Sequence, residues 1–321
     1  MKDSVSIAMT TFNGERFLRK QLDSIYSQTR LPNEVIVCDD CSTDGTVAIL
    51  EEYKINKGLT YFVNESQLGV NANFFKAISL CQGDYIAICD QDDIWLPEKI
   101  ELSLKKLKQI EKDSFALVYS SKVDIDAEGN LISKISASDK DYCGNVRSFF
   151  SPNPVCQGCS MLLNRKLVDY VLSKYQSLKF SHTYLIYDAF ICFTCVMIGQ
   201  KCDMDKQLLL YRRHDNNVLG RRKKKLSFRE KLAQQNKYRY FTPDSRFLLI
   251  DRTYQIVKED IMNDNVHKLV SKMYTIRRSR SIIRGLLLIM SIRELPFPQK
   301  VKIVLGTISV KCLKMCCKLD S

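Results

Sequence analysis

Ile86-Ala87-Ile88-Cys89-Asp90-Gln91-Asp92-Asp93-Ile94-Trp95 is the stretch that decides the reading of this chain. A short apolar run ends in three carboxylates within four residues. Fully buried strands read as apolar runs, and open α/β sheets bind ligands at the carboxyl ends of their strands. Carboxylates this close repel one another, and ionised ones are costly to bury unpaired. A hard divalent cation such as Mg²⁺ or Mn²⁺ relieves both problems, and such ions commonly bridge to a phosphate. The same residues also read as an acidic turn ahead of a helix starting near Pro97-Glu98-Lys99.

Upstream of this run, strand and helix patterns alternate. Val5 to Thr10, Glu34 to Cys38, Thr60 to Val63 and Tyr85 to Cys89 read as strands. Phe17 to Ser27, a segment from Thr46 through Tyr53, and Asn71 to Leu80 read as helices between them. Short links between such units predict an α/β fold with a mostly parallel sheet and helices on both faces. Polar clusters follow the first, second and fourth strands, at the predicted ligand edge. Residues 98–112 have helical spacing, Phe115 to Ser120 and Cys159 to Leu163 read as strands, and Asp124 to Asn153 is turn-rich. Asp188 to Gly199 reads as an apolar helix and Leu208 to Tyr211 as a late strand.

The chain has 321 residues, 45% hydrophobic and 26% charged, which is ordinary for a globular protein. Its 13 Cys are scattered, and Cys156 and Cys159 have no second pair or nearby His to complete a zinc site. Most are expected to act as small buried hydrophobes in a reducing compartment. The first residues run into a strand pattern without the apolar core of a signal peptide, so a cytoplasmic location is expected. The net charge of +13 is uneven. Residues 221–321 carry 24 Lys/Arg against 8 Asp/Glu, leaving 25 against 28 in residues 1–220. This split predicts a catalytic domain over 1–220 and a basic, mainly helical region over 221–321. Arg221-Arg222-Lys223-Lys224-Lys225 and the Lys-interrupted apolar stretch from Val301 to Lys318 fit an anionic membrane surface. The stretch Ile282 to Ile292 is broken by Arg284 and too short to span a bilayer. Nucleic acid is the competing partner for such charge. The acidic first part and the apolar content of the tail argue for no nucleic acid and for a peripheral place on the inner face of the cytoplasmic membrane.

Five marks occur in order: Thr10-Thr11-Phe12-Asn13-Gly14, Val37-Cys38-Asp39-Asp40-Cys41-Ser42-Thr43-Asp44-Gly45-Thr46, Asp90-Gln91-Asp92-Asp93-Ile94-Trp95, Tyr187-Asp188, and Tyr211-Arg212-Arg213-His214-Asp215-Asn216-Asn217. Together the chain resembles family 2 glycosyltransferases of the GT-A fold, in the bacterial rhamnosyltransferase-like branch, over residues 4–220. The resemblance implies a nucleotide-sugar donor held by Thr10, Phe12, Asn13, Asp39 and Asp40. Asp40 is the choice for the base edge, because a carboxylate can accept the imide N–H of uracil or thymine. The family's DxD motif falls on Asp90, expected near the ribose, and Asp92, expected on the metal with Asp93 in support. The base of inverting members falls on Asp188, here preceded by Tyr187 where the branch implies His. Arg212 and His214 fall where a late strand returns, which implies His214 in the metal shell or, together with Arg212, at the nucleotide's pyrophosphate. Gln157-Gly158-Cys159 falls where donor or acceptor loops lie. The implied acceptor is a lipid-linked glycan, a precursor of O-antigen or capsule, and the implied donor is UDP- or dTDP-linked, dTDP-rhamnose among the choices.

The chemistry agrees with these residue types. A leaving diphosphate gains charge that a divalent cation stabilises, and an attacking hydroxyl loses a proton to a carboxylate. One displacement with one base inverts the anomeric centre. Two alternatives stand beside this one. Asp90 and Asp92 fit a phosphotransferase of the haloacid dehalogenase type, although that motif belongs on a first strand. The chain also fits an inactive nucleotide-binding relative.

Overall fold

The computed structural model describes residues 3–132, 142–143, 157–177, 186–215 and 246–278. Its first half is a run of strand–helix units: β1 (Val5–Thr11), α1 (Glu15–Tyr26), β2 (Glu34–Asp39), α2 (Thr46–Lys57), β3 (Thr60–Val63), α3 (Val70–Leu80) and β4 (Tyr85–Cys89). The short β5 (Ile94–Trp95), α4 (Lys99–Glu111) and β6 (Ala116–Ile125) follow. Next come β7 (Tyr142–Cys143), a single 3-10 turn over Gly158–Ser160, β8 (Met161–Asn164) and α5 (Arg165–Ser177). The remaining elements are α6 (Tyr187–Ile198), β9 (Gln200–Arg212), α7 (Arg246–Val257) and α8 (Asp264–Arg278).

Among the described residues nine strands form one sheet in the order β3-β2-β1-β4-β8-β6-β9-β5, with β7 on β9. The parallel pairing expected from the alternation holds through β3-β2-β1-β4. Beyond β4 the sheet is mixed: β8 runs antiparallel to both β4 and β6, while β6 and β9 are parallel. Two strands read from the sequence are longer than their apolar cores. β6 runs on to Ile125 and β9 begins at Gln200 because the two pair along most of their length, polar residues included.

The period-2 alternation along β1 and β4 divides the core between the sheet's two faces. Val5, Ile7 and Met9 join Tyr85, Ala87 and Cys89 in the cluster that covers α1, α2 and α4. Ala8, Ile86 and Ile88 join the opposite cluster, with Phe74, Phe75, Phe190 and Phe193. α1 shows why it forms where it does, because Phe17, Leu18, Gln21, Leu22 and Ile25 make one buried face. α2 ends at Gly58, which adopts φ +72° as a left-handed cap. α6 is buried on nearly every side, as its apolar sequence requires.

The division at residue 220 does not separate two cores. Leu249, Ile250, Tyr254, Val257, Val266, Leu269 and Val270 of α7 and α8 are buried in the same cluster as α6. A polar latch adds to this: Asp260 accepts from Tyr170 Oη at 2.7 Å and Lys174 Nζ at 2.8 Å, both on α5. Charge counting along the chain could not reveal this, because the apolar positions of α7 and α8 are interleaved with surface cations. The runs Arg221 to Lys225, Ile282 to Ile292 and Val301 to Lys318 lie outside the described residues. Among the described residues, no helix is long and apolar enough to cross a membrane. Cys38, Cys81, Cys89, Cys159, Cys192 and Cys195 are buried free thiols, as expected. Cys202 departs from that pattern: it is disulfide-bonded, and its ladder partner in β7 is Cys143.

If α7 and α8 belong to the catalytic core, Leu269→Ala lowers the stability of the whole protein by about 2–5 kcal/mol. Denaturant unfolding followed by tryptophan fluorescence reads this directly, because Trp95 lies at the opposite face. A transition at Trp95 that stays unchanged would show that the C-terminal helices unfold on their own.

Candidate active site at the carboxyl edge of the sheet

Strand register brings the site together. Thr11 stands beside Asp39, and Met9 beside Cys89, so β1, β2 and β4 end at one level. β9 reaches the same edge through β5, where Ile94 pairs with Leu210, and this delivers Arg212 and His214 to the acidic run. The edge therefore gathers most of the residues singled out in the sequence, from four different strands.

The two loops after β1 and β2 interlock. Asp39 is fully buried and accepts from Thr11 Oγ1 at 2.7 Å, Ser42 N–H at 2.8 Å and Ser42 Oγ at 2.6 Å. Asn13 takes φ +48° and accepts from Thr43 N–H through Oδ1, while its own N–H donates to Ser42 Oγ. Phe12 presents its ring outward at 44% exposure. Thr10, half-buried, lies opposite Cys38. The Asp40 carboxylate, expected at a base edge, receives Asn64 Nδ2 at 2.8 Å and the Leu68 and Gly69 N–H groups at 2.7 and 2.9 Å. It therefore folds the 64–69 segment over the end of β2, a tie that sequence spacing could not show. The network continues from Asn64 to Asn73 and Lys76.

The acidic run divides its side chains. Asp92 Oδ2 lies 2.7 Å from His214 Nε2, with the His214 ring against Phe17. Asp93 turns inward: Oδ1 accepts the Arg212 N–H at 3.0 Å, and Oδ2 is buried with no hydrogen-bond partner. Ligand atoms of Asp90, Asp93 and the buried Cys159 lie within 4.8 Å of one another. Burial, and then the charge of Asp92, raise Asp93 to about 7. Burial raises Asp90 well above the carboxylate range, with Asp93, Asp92 and Asp188 adding repulsion. The carboxyls of Asp90, Asp92 and Asp93, with the His214 imidazole and the Cys159 thiol beside them, hold protons only because their negative charge is crowded and buried, and such a donor set fits a divalent cation.

Arg212, expected at a pyrophosphate, braces the acidic loop. It is fully buried, stacks over Phe17, and donates to the carbonyls of Asp92, Asp126 and Ala127 at 2.8, 3.2 and 2.8 Å. A planar fork of N–H donors suits several carbonyls at once.

Asp188 sits in the first turn of α6 and is buried, accepting the Ala189 N–H at 2.6 Å. Burial raises it to about 6, opposed by hydrogen bonds from the Ala189 and Gly158 amides. Tyr187, in place of the implied His, stacks on Phe74 at 4.1 Å, and its N–H donates to Asn71 Oδ1. Its hydroxyl fills the space beside Gly158, where any Cβ would clash. Gly158 and Cys159 thus meet Asp188 from one side and Asp90 and Asp93 from the other. The sequence marked this turn only through the resemblance of Gln157-Gly158-Cys159. Nothing in the spacing pointed to Gln91, Asn64, Asn71 or Asn73.

The sequence profile described as "Glycosyl transferase family 2" matches residues 6–172. The chain belongs to this family. It is 28% identical over 225 residues to the dTDP-rhamnosyl transferase RfbG of Shigella flexneri, covering 66% of this chain and 73% of that one. An uncharacterized glycosyltransferase of Methanocaldococcus jannaschii is 29% identical over 250 residues, 75% and 78% of the two chains. A chondroitin synthase of Escherichia coli is 38% identical over 130 residues, 40% of this chain but 18% of that protein's length. Among solved structures, S. aureus TarS 1–349 in complex with UDP superposes with a TM-score of 0.53 at 14% identity, over 96% of this chain and 90% of that one. That likeness shows the GT-A fold. The chain is therefore a family 2 glycosyltransferase with a GT-A fold, and the phosphotransferase alternative falls with that assignment.

The buried carboxylates generate a stability prediction. A group whose pKa is raised on folding binds more protons in the native state, so it makes stability fall as pH rises through that range. Metal-free protein is therefore expected to lose stability from about pH 4, the ordinary carboxylate value, up to about pH 7, where Asp93 has ionised. Asp93→Asn raises its melting temperature at pH 8 and flattens that slope. Equal slopes for the two proteins in chelator would show that Asp93 is not buried as an acid.

Proposed function

We propose that this chain is an inverting, metal-dependent glycosyltransferase. It transfers a sugar from a UDP- or dTDP-linked donor, dTDP-rhamnose being the narrower choice, to a hydroxyl of a lipid-linked polysaccharide precursor. The observation that carries this reading is the pairing of Asp188, a buried carboxylate raised to about 6, with the acidic run whose charge it shares. RfbG is a dTDP-rhamnosyl transferase by name, and S. aureus TarS 1–349 has been solved in complex with UDP and with UDP-GlcNAc, which supports a pyrimidine nucleotide donor.

In this reading Asp92 and His214 hold Mg²⁺ or Mn²⁺, with Asp93 behind them. When bound, that cation supplies Lewis-acid stabilisation of the leaving diphosphate. Thr10, Phe12, Asn13 and Asp39 form the nucleoside side, with Asp40 fixing the 64–69 segment there and Asp90 reaching the ribose. Arg212 serves the nucleotide indirectly, by holding the carbonyl of Asp92. Asp188 accepts the proton of the acceptor hydroxyl as that oxygen bonds to the anomeric carbon. The bond from that carbon to the diphosphate oxygen breaks, and its electron pair leaves with the nucleotide. One displacement inverts the centre. The dipole of α6 favours ionised Asp188 while burial opposes it, which leaves a carboxylate of useful basicity near neutral pH. The polybasic segment after residue 220 would hold the protein at anionic lipid, where the acceptor is anchored.

Thermal shift against UDP, dTDP, GDP and CDP, with and without Mn²⁺, tests the donor class. Stabilisation by one pyrimidine diphosphate that requires Mn²⁺ is expected, and Asp92→Asn removes it. No stabilisation by any of the four sinks the proposal. Asp188→Asn should lower kcat by about 10²–10⁴-fold while leaving nucleotide binding intact. With wild type, kcat falls about tenfold per pH unit below about 6, as the base becomes protonated. A flat profile from pH 5 to 8 would remove Asp188 from that role.

A further inference from the structure

Gln91 stands between two carboxylates of the acidic run, yet its side chain turns to a different loop. The Phe12 N–H donates to Gln91 Oε1 at 2.8 Å, and Gln91 Nε2 donates to the Phe12 carbonyl at 3.0 Å. A side-chain amide used this way acts as one more rung between β1 and β4, beyond the last strand pair at Met9 and Cys89. The amide has room only because residue 14 is glycine, where a Cβ would run into it. Gly14 has φ −101°, so the demand there is for space and not for an unusual backbone. From the other side, Ser42 and Thr43 fix Asn13. The main chain behind the exposed Phe12 ring is thus clamped to the metal-side turn.

We propose that Gln91 is a positioning residue that couples cation binding at Asp92 to nucleoside binding at the Phe12 loop. This rests on the donor-site reading above. Without a cation, Asp90, Asp92 and Asp93 repel one another across the turn that contains Gln91. A cation that draws them together reshapes that turn, and the two hydrogen bonds carry the change to Phe12. Linkage makes the effect reciprocal, so the nucleoside tightens the cation by the same factor.

Uridine and thymidine are the probes, because they lack phosphates and cannot touch the cation. Any Mn²⁺ effect on their affinity has to pass through the protein. Ligand-observed NMR titration of wild type is expected to show binding at least about five-fold tighter with Mn²⁺. Gln91→Ala abolishes that difference, and so does Gln91→Met, which keeps the volume without the hydrogen bonds. Gly14→Ala, which displaces the amide, produces the same loss, and the double variant with Gln91→Ala is no worse than either alone. Melting temperatures of all variants separate this from unfolding. The proposal is overturned if Mn²⁺ leaves nucleoside affinity unchanged in wild type, or if coupling persists in a folded Gln91 variant. Failure of the donor reading looks different, because UDP and dTDP would then not bind even with Mn²⁺.

Discussion

Carboxylate repulsion at the carboxyl edge of β4 is the constraint around which the rest of this structure is arranged. Asp90, Asp92, Asp93 and Asp188 converge there from two elements, three of them with raised affinity for protons. Each neighbouring device answers that charge. Arg212 surrenders its guanidinium to backbone carbonyls of the acidic loop and its neighbour, which fixes where the carboxylates stand. His214 closes on Asp92, the Arg212 N–H takes one oxygen of Asp93, and main-chain amides steady Asp188. The remaining imbalance leaves a cluster of donor atoms that could hold a cation.

The parallel half of the fold was legible in the sequence because its signals are local. Strand runs of four to seven residues, helices with one buried face and short polar links dictate β1 to β4 without reference to distant residues. The mixed half was less legible. Its strands β6, β8 and β9 pair across long sequence separations, and polar residues such as Lys122, Asp124 and Lys201 lie within them, held by pairing rather than by pattern. The separate C-terminal region expected from charge became part of the common core for the same reason, since burial of Leu269 or Tyr254 is set by what they meet.

The site divides along similar lines. Acidic residues at strand ends announce themselves, because few roles explain three carboxylates in four residues. Partners that work through hydrogen bonds to backbone leave no such trace. Gln91, Asn64 and Asn71 are ordinary polar residues until the loops they bind are in place. Arg212 shows the limit from the other side: its charge announces a ligand role, but the bonds from its Nε and Nη1 to the carbonyls of Asp92, Asp126 and Ala127 appear only once the chain is folded.

The family profile ends at residue 172, short of α6, β9 and the two C-terminal helices packed on them. The loops after β1 and β2 and the element bearing Asp188 therefore occupy different stretches of the chain, joined through the pairing of β9 with β6 and through one apolar cluster. A core substitution on α6, α7 or α8 is therefore felt at β1, β2 and β4, whose Ala8, Ile36, Cys38 and Ile88 lie in the same cluster, so changes beyond the profile must be matched on the sheet beneath it.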